Sequence, residues 1–170
     1  MGLKQIFESE NISYVEVSEE LIPDYLEMVN DIEHVDSFIG GWHEPYTEAD
    51  EVRWVREQLE AQAPVFSMIE KKSGKFIGSV ELMDATENAG EIGIAITAQM
   101  QGKGYGTEAV KAMTAYGMNI LGLKKVCLRT NLTNARAIHV YRKCGFAETG
   151  RTDTQVCMEI CRQSDRGTFQ

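Results

Sequence analysis

The sequence predicts an α+β (α/β) fold of about seven strands and four helices. Three observations carry that expectation: seven short apolar or alternating runs bounded by turn residues, four longer stretches with apolar residues at helical spacing, and an unbroken strand, glycine turn and helix from Glu91 to Tyr116. At 170 residues the chain is expected to form a single domain, residues 1–170, burying roughly two-thirds of its unfolded surface without disulfides or metal.

Ile12 to Val17 alternates as a first strand. Ser18, followed by Glu19, Glu20 and Leu21, has the pattern of a helix entry, its acids lying where the helix dipole is positive. That helix would place Leu21, Tyr25, Met28, Val29 and Ile32 on one stripe, and Gly40-Gly41 would end the region. Thr47 with Asp50 three residues on resembles a capping box for a second helix, whose stripe is Val52, Val55 and Leu59 and which Pro64 stops. Val65–Glu70 and Phe76–Met83 read as strands joined by the turn Lys71-Lys72-Ser73-Gly74-Lys75. A second turn at Glu87–Gly90 precedes a fourth strand carrying Ile92, Ile94 and Ile96. The third helix has Val110, Met113 and Tyr116 on one stripe. Val126–Thr130 is a fifth strand and Asn131–Cys144 a fourth helix closed by Gly145. Phe146–Thr152 and Gln155–Arg162 form a last hairpin, with Val156, Met158 and Ile160 on its core face.

The composition, 43% apolar and 25% charged, is that of an ordinary soluble globular protein. No apolar run approaches the roughly 18–20 residues of a membrane helix, and MGLKQIFESE lacks a secretory hydrophobic region. Ile6 stands where a myristoylation signal wants Ser or Thr. A cytoplasmic protein with no membrane partner is expected. The net charge of −9 is unevenly spread: residues 1–90 carry 20 acidic and 6 basic side chains, residues 91–170 carry 6 acidic and 11 basic. So acidic a chain is a poor partner for nucleic acid, whereas its basic half suits a polyanionic cofactor and its acidic half an amine. Cys127, Cys144, Cys157 and Cys161 make no C-x-x-C and have no paired His, so reduced thiols and no metal site are expected.

The segment Gln101-Gly102-Lys103-Gly104-Tyr105-Gly106-Thr107 sits between strand and helix. Glycines let a backbone turn its N–H groups toward an anion, and the helix that follows presents unsatisfied N–H groups and the positive end of its dipole. A P-loop is excluded, because Gly102-Lys103 is followed by Gly104 rather than Ser or Thr. A dinucleotide fingerprint is excluded as well, since Gly106 follows Gly104 by two residues instead of three.

Gln101-x-x-Gly104-x-Gly106 resembles the pyrophosphate signature of the GNAT superfamily of acetyl-coenzyme A-dependent N-acetyltransferases. About 30 residues on, Asn131-x-x-Asn134-x-x-Ala137-x-x-x-Tyr141-x-x-x-Gly145-Phe146 resembles that superfamily's second cofactor-side motif, and the match covers roughly residues 65–162. Seven residues apart on one helix, Asn134 and Tyr141 would share a face about 10 Å apart along the axis. Phe146 could pack back near Tyr141 beyond the Gly145 cap.

The resemblance implies a GNAT-like central sheet, mixed and mostly antiparallel, with strands four and five splayed. It implies acetyl-coenzyme A as co-substrate, its diphosphate on the amides of Gln101 to Thr107, its pantetheine arm on backbone groups of Ile94, Ala95 and Ile96, and Asn134 holding the pantetheine or phosphate side. Tyr141 would be general acid, and Glu91 the candidate base with Glu81 its rival. A ping-pong route through Cys127 or Cys144 is disfavoured, since neither has a signalled histidine partner. Gly41-Trp42-His43-Glu44-Pro45-Tyr46-Thr47 resembles the acceptor-side segment of the branch containing ribosomal-protein and spermidine acetyltransferases. Trp42 and Tyr46 could wall an amine that Glu44 or Glu33 pairs with. The acceptor is expected to be a small-molecule amine or a protein N-terminus, the short turn Arg151–Gln155 favouring the former, and a homodimer is left open. The alternative is a catalytically inactive coenzyme-binding regulatory module of the same fold.

Overall fold

The alternating runs become strands and the capped stripes become helices. The computed structural model describes residues 2–35 and 44–162. In chain order these form β1 (Gln5–Glu8), β2 (Ile12–Glu16), α1 (Ile22–Asn30), α2 (Glu48–Ala61), β3 (Val65–Glu70), β4 (Phe76–Met83), β5 (Ala89–Ile96), α3 (Tyr105–Asn119), β6 (Lys125–Asn131), α4 (Ala135–Lys143), β7 (Ala147–Arg151) and β8 (Gln155–Cys161). The strands form an open sheet in the order β1-β2-β3-β4-β5-β6-β8-β7. The β1–β2, β2–β3, β3–β4, β6–β8 and β7–β8 ladders are antiparallel. β5 and β6 are parallel, in the register Ala89↔Lys125, Gly90↔Val126 and Glu91↔Cys127.

The chain groups into two compact units, Met1–Glu81 with Gly93–Ala112 and Leu82–Ile92 with Met113–Gln170. In the first, the core gathers Val15, Val17, Leu21, Ile22, Tyr25, Met28, Val55, Phe76 and Ala95. Tyr25 meets Trp54 and Phe76 edge-on at 5.5 and 5.6 Å, and its buried hydroxyl is bonded to Ser67 Oγ at 2.6 Å. Each large apolar side chain so buried contributes about 1.5–3 kcal/mol. The expected capping box forms: Thr47 Oγ1 accepts from the Asp50 N–H, and the Asp50 carboxylate accepts from the Thr47 N–H at 2.8 Å. Gln62, left-handed at φ 51°, closes α2 two residues before Pro64.

In the second unit, Val126 and Leu128 pair across the ladder with Ile160 and Met158. With Phe146 and Val156 they supply one apolar face, and a one-residue slip would turn that face outward. α4 ends in a Schellman arrangement, with the Gly145 N–H on the Arg142 carbonyl and the Phe146 N–H on the Tyr141 carbonyl, both at 3.0 Å. Gly145 takes φ +98°, the left-handed conformation this cap needs.

The described residues hold one strand more than the seven expected. β1 is a short edge strand of polar and apolar residues, joined to β2 through a bulge between Gln5 and Phe7. Leu21 lies in a 3₁₀ turn capped by Ser18 and α1 stops at Asn30, so Ile32 falls beyond the helix and is 45% exposed. Leu59 is likewise exposed, while Glu51 is buried in its helix. β5 begins at Ala89, inside the expected turn. The fourth helix begins at Ala135, not Asn131, because β6 runs on to Asn131 and Asn134 caps the helix. Gly40-Gly41 lies outside the described residues.

Candidate active site

The first unit contains the glycine turn. Gly102 and Gly104 have φ of +76° and +86°, and a Cβ on either would meet nothing within 4 Å. Conformation rather than crowding therefore calls for glycine there. Gly106, in the first turn of α3, has neither reason: its φ is not left-handed, and a Cβ would find only Ile96 Cδ1 at 3.5 Å, an ordinary contact. Neither backbone conformation nor packing within the chain calls for glycine at this position.

The first α3 hydrogen bond is Glu108 N–H to the Gly104 carbonyl at 3.1 Å. The N–H groups of Tyr105, Gly106 and Thr107 consequently have no acceptor in the helix, and such a group of donors at a helix start is of the kind that binds anions. The donor set fits the diphosphate of a coenzyme. Lys103 stands exposed at the tip of the turn, between the two left-handed glycines.

Gln101 acts through its side chain. Its Nε2 donates to the Ile96 carbonyl at 3.0 Å and to the His34 carbonyl at 2.6 Å, tying the turn to the end of β5 and to the chain after α1. Thr97 N–H donates to the Ile77 carbonyl at 2.9 Å, so this side of β5 is occupied by β4. Alternation then turns the peptide groups of Ile94 and Ile96 away from β4.

Two carboxylates hold the first turn of α3. Glu108 accepts from Ser9 Oγ at 2.5 Å, from the Asn11 N–H at 2.9 Å and from Asn11 Nδ2 at 2.8 Å. Burial alone would raise its carboxyl, but these hydrogen bonds outweigh burial and hold it below the ordinary range. The Tyr105 hydroxyl donates to Glu70, whose other oxygen accepts from Ser73 Oγ at 2.6 Å. The Ser73 and Tyr105 hydroxyls lower the Glu70 carboxyl, and the bond to Glu70 pushes the Tyr105 hydroxyl up to about 12.

The second unit holds Glu91, Asn134 and Tyr141. Asn134 is the N-cap of α4, just ahead of its first residue, with Oδ1 accepting from the Ala137 N–H at 3.1 Å. Tyr141, on the last turn, is half-buried and lies 6.4 Å from the Phe146 ring at 59°, as the cap requires. Glu91 is bound by both arms of Arg129, Nε at 2.8 Å and a terminal nitrogen at 3.2 Å. Register explains the pair, since Glu91 opposes Cys127 and Arg129 is the next residue of β6 on that face. The Cys127 thiol donates to the Gly90 carbonyl at 3.6 Å and burial pushes it up, away from the thiolate a nucleophile needs.

On the acceptor side Trp42 lies outside the described residues, and Glu44 is exposed. The next residue but one is fixed: Asn30 accepts from the Tyr46 N–H at 2.8 Å and donates to its carbonyl at 3.1 Å. Among the described residues no group of three His, Cys, Asp or Glu side chains could hold a metal ion, and no helix is long and apolar enough to cross a membrane. Spacing did not reveal Arg129, Glu70 or the Glu108 anchor, whose partners lie 35 to 99 residues away, nor Ser73, which bonds Glu70 three residues before it. Only the strand register could have signalled Arg129.

Comparison with known proteins places these features in context. Residues 13–147 match the model of the acetyltransferase (GNAT) domain. A spermidine N(1)-acetyltransferase of Vibrio cholerae is 28% identical over 129 residues, 74% of this chain and 75% of that one. Among solved structures, a GNAT-family acetyltransferase from Bacillus anthracis superposes with a TM-score of 0.77 at 19% identity, covering 95% of this chain and 98% of its own. Spermidine N-acetyltransferase from Vibrio cholerae, in complex with CoA and spermine, has a TM-score of 0.75 at 22% identity, covering 90% and 96%.

Proposed function

Because the chain belongs to the GNAT acetyltransferase family, whose domain model matches residues 13–147, we propose that its acetyl-coenzyme A-dependent N-acetyl transfer is directed at a polyamine. The observation that carries the reading is the similarity to the Vibrio cholerae spermidine N(1)-acetyltransferase across 74% of this chain. The excess of 20 acidic over 6 basic side chains in residues 1–90 supports it, since such a field draws a polycation. The β7–β8 connection supports it too: Thr152 N–H closes directly on the Gln155 carbonyl at 2.8 Å, a tight turn with no acceptor-side insertion for a protein substrate.

Acetyl-coenzyme A supplies an acetyl group already activated as a thioester. The amides of Tyr105, Gly106 and Thr107, with the Lys103 charge, hold the diphosphate. Backbone groups of Ile94 and Ile96 receive the pantetheine arm as an added strand would be received, Ala95 between them turning its own peptide groups toward β4, and Asn134 Nδ2 donates to the arm. The Ile94 amide polarises the reacting carbonyl. Tyr141 protonates the leaving thiolate, a transfer that suits a phenol of ordinary pKa ~10 and a thiol of ~8.5. Glu91 takes the amine proton through a water, because Arg129 already occupies both of its oxygens. The half-buried Cys127 thiol, held up by desolvation, disfavours an acyl-enzyme, so transfer is direct.

Coenzyme A release measured across polyamines, aminoglycosides, amino acids and N-terminal peptides tests the acceptor. Spermidine or spermine should give the highest kcat/KM. A peptide N-terminus or an amino acid outrunning every polyamine would overturn the assignment.

A further inference from the structure

The turn between β3 and β4 lies outside the motifs that define the cradle, yet it reaches the cradle through one buried carboxylate. Glu70, the last residue of β3, is 3% exposed. Its backbone is pinned, its N–H donating to the Lys75 carbonyl and its carbonyl accepting from the Gly74 N–H, both at 2.8 Å. Its carboxylate is bracketed by Ser73 Oγ at 2.6 Å and the Tyr105 hydroxyl. Ser73 Oγ in turn accepts from the Lys75 N–H at 3.2 Å, so it has its own support. Tyr105 is the first residue of α3 and is buried.

A carboxylate buried beside an anion site works against that site unless it is needed for something else. Lys72 and Lys103 bear on its charge and offset part of that opposition. The first turn of a helix is also where order is least assured, since its amides lack intrahelical partners and depend on outside contacts for their direction. A tyrosine at the first position, with its far end fixed to a pinned strand terminus, sets that direction.

We propose that Glu70 is a positioning residue for coenzyme binding: bracketed by Ser73, it anchors the Tyr105 hydroxyl and so aims the first-turn amides of α3 at the diphosphate. The inference rests on the reading of Gly102–Thr107 as the diphosphate cradle. Glu70 touches neither substrate; it acts through Tyr105.

Acetyl-coenzyme A titrated calorimetrically into the purified full-length chain and its variants separates the two ideas. Glu70→Ala and Tyr105→Phe should each raise the Kd for acetyl-coenzyme A about tenfold, the order expected for losing a hydrogen bond to a charged group. In the double variant the effects should not add, because both substitutions break one bridge. In Glu70→Ala the defect should fall on the KM for acetyl-coenzyme A rather than on kcat at saturating coenzyme or on the KM for the amine. Glu70→Gln should restore affinity to the wild-type level or better, since an amide oxygen still accepts from Tyr105 and the opposing charge is gone. Additive losses, an unchanged Kd in Tyr105→Phe, or a Glu70→Gln variant as weak as Glu70→Ala would each overturn the proposal. Failure of the wild-type chain to bind acetyl-coenzyme A would overturn the cradle itself.

Discussion

Phe146 completes the cap of the helix that carries Tyr141, and does so on Tyr141 itself: its N–H bonds the Tyr141 carbonyl at 3.0 Å and its ring lies 6.4 Å from the tyrosine ring. The residue proposed as general acid is thereby fixed at its backbone and beside its ring by the same neighbour. Tyr141→Phe should keep acetyl-coenzyme A binding while kcat falls about 10²–10³-fold, the ordinary contribution of a positioned acid. Steady-state kinetics alongside a binding titration check the split; loss of binding with kcat intact would remove Tyr141 from the chemistry.

Gly145→Ala should act through the cap alone. Its φ of +98° strains any L residue, and a Cβ would lie 3.0 Å from Ile160 Cδ1. A stability loss of about 1–2 kcal/mol is expected from forcing alanine left-handed. Denaturant unfolding measures it, with the m-value unchanged.

Gly106→Ala separates binding from folding. With no strain and no clash at this position, alanine should stabilise α3 by up to about 1 kcal/mol. The affinity for acetyl-coenzyme A should drop at least about tenfold if the added methyl costs one good phosphate contact. A raised melting temperature with undiminished affinity would show that nothing approaches the Gly106 backbone.

For Glu91, pH is the discriminating variable. Glu91→Gln should lower kcat/KM at neutral pH, with the deficit shrinking as pH climbs toward the amine's own pKa of ~10, where the acceptor loses its proton unaided. A deficit constant with pH would assign Glu91 to holding Arg129, whose guanidinium it keeps above its ordinary value. The same profile for Glu81→Gln tests the rival.

Glu51 offers a stability prediction with a sign. Burial, then the neighbouring Asp50, raises its carboxyl. The folded state therefore holds the proton more tightly than the unfolded state, and Glu51 costs stability as pH rises through its unfolded and then its folded pKa. Glu51→Gln should raise Tm by about 2–4 °C at pH 7, the shift that ~1 kcal/mol gives in a chain of this size, and the gain should vanish below about pH 4. A gain that persisted in acid would point to packing instead of charge.

The capping box at Thr47, the turn at Lys71–Lys75 and the Gly145 cap were all legible, because each is a local pattern whose partners lie within five residues. The limits of β3 and β4 were read to the residue for the same reason. β1 was not legible: its four residues, QIFE, lack strict alternation, and only pairing with β2 makes them a strand. Ile32 and Leu59 continue an apolar period past the point where there is a core to face, so periodicity overstated their burial. Asn134 is a motif residue whose Oδ1 caps a helix, a structural task that the motif's spacing did not assign to either of its side-chain atoms. Glu70, Arg129 and Glu108 were invisible because tertiary hydrogen bonds leave no period.

The double bond from Gln101 also restricts what can be written at that position. Its Nε2 spends both hydrogens on carbonyl oxygens, those of Ile96 and His34. Glutamate has the same outline but would set lone pairs against lone pairs and add a negative charge beside the proposed diphosphate cradle; asparagine is a methylene short; lysine and arginine carry donors in another geometry. The first letter of the glycine motif is thus specified by the protein's own backbone, as Gly104 is by its left-handed φ, and only Gly106 is left for the proposed coenzyme to select.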